Sequence, residues 1–113
     1  MSAEPENEVP EGAAVLPEIP PELGVHPLLL AVLHAIVFVD GSAEDVVNPD
    51  AGTEALEYLA GYLQRLGGAD LRRVQEDMRV LTVYARDQDW PKPVIRFFKD
   101  FLSEFGVGER DVV

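Results

Sequence analysis

The chain has 113 residues, 47% of them hydrophobic, and a formal net charge of −12 from 21 acids against nine bases. That length and composition suit one domain with a real core and do not suit a wholly disordered chain. The charge argues against binding nucleic acid or anionic membrane through phosphate contacts, which need clustered Lys and Arg; the absence of cysteine removes disulfides, thiol catalysis and thiolate-bound metals.

Residues 1–24 stand apart in composition. They hold Glu4, Glu6, Glu8, Glu11, Glu18 and Glu22, no base, and five prolines. Repulsion and proline both oppose helix there, so an acidic, Pro-rich tail is expected, disordered up to about Ala14. A solubilising role is the main expectation. Val15, Leu16, Ile19 and Leu23 also allow an extended strap docked on the domain, and "PEIPP" allows a polyproline peptide for a partner. The acidic, polar start is unlike a signal peptide, so a cytoplasmic location is expected. The base set of seven Arg and two Lys suggests a GC-rich bacterial source.

A single helical-bundle domain is expected over 25–113. Its first helix runs from about His26 to Val39, within "HPLLLAVLHAIVFVDG", with Pro27 in the first turn. Twelve residues from Leu28 to Val39 span about 18 Å as a helix, at ~1.5 Å per residue, too short for a bilayer core. The run is apolar on every side, which predicts a central helix without a solvent face. His34, its one polar residue, is expected to be buried with a single hydrogen-bond partner. His26 reads as a helix-start residue.

Residues 40–52 form the longest connection, with a short helical turn near 43–47. Ser42 and Asp45 resemble a capping box, with Val46 and Val47 turning inward. Asn48 followed by Pro49 reads as the cap of a second helix, about 49–66. Leu56, Leu59, Leu63 and Leu66 give it one apolar stripe. Gly67 and Gly68 end it, and so short a link predicts antiparallel neighbours. A third helix, about 69–88, carries Leu71, Val74, Met78, Leu81 and Ala85 on one side. Arg72, Arg73, Glu76, Asp77 and Arg79 are expected on the solvent side. "RDQDWPKP" breaks it, with Asp89 or Trp90 near the next cap. A fourth helix, about 91–105, presents Val94, Phe97, Phe98, Phe101, Leu102 and Phe105. Gly106 ends it, and "VGERDVV" is expected to fray. The expected architecture is all-α, a compact four-helix bundle after an acidic tail.

Chemistry-bearing patterns are sparse. His26 and His34 are two turns apart, about 12 Å at ~1.5 Å per residue, and cannot share an ion. No Glu is followed by His three residues on, as a di-iron bundle requires. The acidic loop at 40–50 lacks the alternating ligands and central Gly of a calcium loop. Neither Ser42 nor Ser103 lies in a nucleophile elbow, and "LGGAD" has no Lys to make a phosphate loop. No cofactor and no metal are therefore expected.

The interaction candidates are Tyr84, Arg86, Asp87, Asp89 and Trp90, because aromatic and Arg side chains dominate interfaces, and the acidic loop residues Asp40, Glu44 and Asp45. The alternative for Trp90 is packing over the end of the core. The function expected is a non-enzymatic interaction module (an adaptor, regulator or inhibitor) for a basic protein partner. A homodimer would also cover the surplus apolar surface. A small enzyme or metal-binding protein using His34 and nearby carboxylates is the second reading.

Overall fold

Proline or glycine marks every helix start. The structure, a computed structural model, describes residues 9–108. Its helices are α1 (Pro27–Gly41), α2 (Pro49–Leu63), α3 (Gly68–Asp87) and α4 (Lys92–Glu104), after a short 3-10 turn at Pro21–Leu23. There is no strand among the described residues. Pro27, Pro49 and Pro93 sit in the first turns of α1, α2 and α4, where the missing N–H has no helical acceptor to lose. The His26 imidazole Nδ1 accepts from the Leu28 N–H at 3.1 Å, and Asn48 Oδ1 accepts from the Ala51 N–H at 3.0 Å. Both supply the cap that an exposed helix start needs.

The four helices make a compact bundle. Its core joins Leu29, Leu33 and Ile36 of α1 with Met78, Leu81 and Ala85 of α3 and Phe98 and Phe101 of α4. The 4/3 spacing on α1 and the 3/4 spacing on α3 put each set on one helical face. α1 packs on α2, and α3 packs on α4. Contact between α2 and α3 is slight, contrary to the expectation from the short link. Gln64 to Gly67 leave the helix, and Gly68 adopts φ +56°. The turn redirects the chain and leaves a hollow of about 320 Å³ lined by Leu63, Leu66, Asp70 and Val74 together with Leu28 and Val32. α2 is correspondingly peripheral: Gly52 is its sole buried residue, and Leu56, Leu59 and Leu63 are half-buried. A Cβ on Gly52 would meet Val47 Cγ1 at 3.3 Å and Val39 Cγ1 at 3.4 Å, so the start of α2 lies close against the end of α1 and the loop before it.

The N-terminal segment takes the strap form over its described part. Residues 1–8 of the expected disordered tail lie outside the described residues. From Pro10 onward the chain is tied down. The Ala43 N–H donates to the Gly12 carbonyl at 2.7 Å, and the Ala14 N–H donates to Ser42 Oγ at 2.9 Å. Leu16, Ile19 and Val25 are then buried in the core. Ser42 thus serves the strap, and the capping box expected with Asp45 is not formed. The turn after it closes on the Ala43 carbonyl, which accepts from Val46 and Val47. Gly41 permits the close approach, because a Cβ there would lie 2.9 Å from Ala14 Cβ.

The C-terminal ends of α3 and α4 close with the same device. At α4, the Val107 N–H donates to the Leu102 carbonyl and the Gly106 N–H to the Ser103 carbonyl, with Gly106 at φ +68°. This is a Schellman motif. It carries Val107 inward, and Val107 is buried rather than frayed; residues 109–113 lie outside the described residues. At α3, Trp90 donates to the Ala85 carbonyl and Asp89 to the Arg86 carbonyl. Asp89 and Trp90 therefore finish α3, and Pro91 is the cap of α4. Asp89 holds φ +58°, the one positive φ outside glycine among the described residues. A side chain disfavours that left-handed geometry. Asp89→Gly should stabilise the protein by about 0.5–1 kcal/mol, read as a higher midpoint in urea at unchanged slope.

Candidate interaction surface

The left-handed turn at Asp89 aims Trp90 back over the bundle. Its indole meets the Tyr84 ring edge-on, with centroids 5.5 Å apart, and lies 6.3 Å from Phe98. Phe97, Phe101 and Phe105 continue the aromatic row into α4. Trp90 and Tyr84 are half-buried, while Arg86, Asp87 and Asp89 around them are exposed. Trp90 packs over the core's end, which leaves part of the pair open to solvent.

The acidic loop residues Asp40, Glu44 and Asp45 are exposed. Asp40 and Glu44 line a hollow of about 530 Å³ between the end of α1 and the start of α2, with Val39, Val47 and Leu56 as its apolar wall. A second hollow, about 330 Å³, places Asp40 with Pro93 and Val94 at the start of α4. The two predicted groups thus lie toward one end of the bundle. Arg86 lines a different hollow, beside Arg79 and Lys99, so the eight residues do not converge on one cleft.

α1 departs from the expected central helix. Leu29, Leu33 and Ile36 face inward. Val32 and Val39 turn toward α2, and Val37 shares a hollow with Val15 and Leu16 of the strap. The remaining face is uncovered. Leu28 is 71% exposed and Phe38 41%, and Ala31 and Ala35 between them are exposed. His34 borders this face and is half-buried. Among the described residues its side chain has no hydrogen-bond partner, so it is not the buried pin its apolar neighbours suggested. A helix apolar all round gives no signal for which side will be left out.

Sequence reasoning also missed Asp77. It was expected in solvent and is 4% exposed. Arg73 Nε donates to both of its carboxylate oxygens at 3.1 Å, and the His26 backbone N–H donates to Oδ2 at 3.0 Å. Arg73 Nη2 reaches on to the Gly24 carbonyl at 2.9 Å. One i,i+4 pair on α3 thereby clamps the junction between strap and α1. The Arg73–Asp77 spacing was visible, yet it reads equally as a surface pair.

Charge is segregated along the chain. Residues 1–64 contain twelve of the 21 acids and none of the nine bases. The strap, α1, the acidic loop and α2 carry nine of these acids and Glu4, Glu6 and Glu8 the other three, whereas α3 and α4 belong to a half whose charges cancel. In the described part of the acidic half, Glu11, Glu18 and Glu22 lie on the strap, Asp40 and Glu44 at the end of α1, and Asp50, Glu54 and Glu57 on α2, all exposed. No group of three or more His, Cys, Asp or Glu residues is placed to hold a metal ion among the described residues. No helix described is long and apolar enough to cross a membrane. Compared with protein families, curated proteins and solved structures, the chain matches none.

Proposed function

We propose that the protein is a non-enzymatic interaction module, an adaptor, regulator or inhibitor, for a basic protein partner in the cytoplasm. The observation that carries this reading is the segregation of charge: one half of the chain holds the entire net −12 and no base. Single-signed surface raises encounter rates with an oppositely charged partner and rejects like-charged ones.

A pull-down with the full chain as bait tests it. The captured protein should be basic, and it should be released as salt rises from about 50 to 500 mM, because screening shortens the reach of surface charges. A specific partner held unchanged at the higher salt counts against the electrostatic reading. The role of the acidic tail needs a deletion of residues 1–9, since removing 1–24 would take Leu16 and Ile19 out of the core.

A further inference from the structure

We infer that the groove between α3 and α4 is a docking site for an acidic peptide segment of a protein partner, one with carboxylates on both sides of an apolar residue. Arg79 and Arg86 of α3 and Lys99 of α4 line one hollow of about 280 Å³. No carboxylate lines it, whereas the hollows beside α1 hold Asp40, Glu44 or Asp70. Among the described residues Arg86 and Lys99 have no carboxylate partner, and Arg79 is paired with exposed Glu76 of its own helix. In a chain of 21 acids and nine bases, cations left unpaired along one groove are open to a carboxylate from outside. This contact is separate from the basic-partner reading, which concerns the acidic half of the chain.

Arg79 and Arg86 stand two turns apart on one face of α3, about 10 Å at ~1.5 Å per residue. Cations spread over that length match a run of carboxylates rather than a single one, and an Arg guanidinium can hold a carboxylate through two parallel N–H bonds. An extended peptide advances ~3.3 Å per residue, so about four residues cover the distance. Beneath the cations Met78 and Phe98 are buried, and half-buried Leu102 supplies an apolar wall. The Thr82 hydroxyl donates to the Met78 carbonyl at 2.8 Å, so its polar group is already satisfied. The peptide's apolar residue rests against Leu102 while its carboxylates meet the flanking cations. A net charge of −12 opposes a second copy of this chain in that place.

The probe is a capped hexapeptide with two Leu between paired Glu at each end, titrated into the full chain and followed by backbone amide shifts in NMR. Two control peptides carry Gln for Glu or Ser for Leu. The Glu/Leu peptide should shift the amides of Arg79, Thr82, Arg86, Lys99 and Leu102 most. It should bind at least tenfold more weakly as salt rises from about 50 to 300 mM. Each control should bind at least fivefold more weakly than the Glu/Leu peptide. The double variant Arg86→Gln, Lys99→Gln changes two exposed positions to a good helix former and should weaken the Glu/Leu peptide at least tenfold. Arg86→Gln alone should weaken it at least threefold and stands in if the double variant folds poorly.

No binding of the Glu/Leu peptide at millimolar concentration, or equal binding of either control, would overturn the inference. So would wild-type affinity in both variants, or largest shifts outside the groove. A wild-type oligomer in sedimentation that becomes monomeric in the double variant would place a second copy there and overturn it too. None of these results bears on the salt-dependent capture of a basic partner.

Discussion

Phe101→Ala should be the most damaging single truncation in this protein, lowering stability by about 3–5 kcal/mol. Phe101 is fully buried, with ring centroids 5.7 Å from Phe97 and 5.1 Å from Phe105. Its loss removes the apolar transfer energy and leaves a cavity where α4 meets the core. Small domains hold only about 5–15 kcal/mol in total, so the variant should be close to unfolding. Thermal melts followed by circular dichroism should show a midpoint more than about 10 °C lower. Phe105→Ala, at a half-buried position, should cost visibly less. Equal effects at the two positions would contradict the placement of the core.

Asp77→Ala should cost about 1–3 kcal/mol and loosen the strap before the bundle melts. The change strands the partly buried His26 backbone N–H and frees Arg73 from the geometry in which it reaches Gly24. The lost bond from the His26 backbone dominates, because Arg73 is half-exposed and its share of the ion pair is screened. Limited proteolysis should therefore cut faster within residues 10–25 of the variant. Asp77→Asn keeps an acceptor for His26 and should recover much of the resistance. If Asp77→Ala lowers the melting temperature without changing cleavage in that segment, the clamp is not what holds the strap.

The parts legible in the sequence are those with periodic contrast. Four helices, the proline starts of three of them, the Asn48 cap and the Gly106 stop follow from spacing and local chemistry, and the bounds differ by up to three residues; Gly67 and Gly68, expected to end α2, instead begin α3 after α2 has stopped at Leu63. The faces of α1 are not legible, since Leu, Val, Ala and Phe on all sides leave nothing to compare. Asp77 was hidden for another reason. Its burial depends on the Gly24–His26 junction arriving from 51 residues away, and local pattern carries no record of that. The strap sat between these cases: Leu16 and Ile19 are apolar in a tail whose charge and prolines dominate any average. Within the interaction candidates, the packing of Trp90 depends on a left-handed Asp89 that the residue type alone does not announce. The uncovered strip on α1 was missed altogether, because it exists only through what fails to pack there.

The peripheral seat of α2 gives the molecule a hierarchy of openings. α1, α3 and α4 share the sealed core, whereas α2 seals only Gly52. Backbone amides of α2 should therefore exchange with solvent faster than those of α1, α3 and α4, since Leu33, Leu81 and Phe101 do not rely on α2 for their seal.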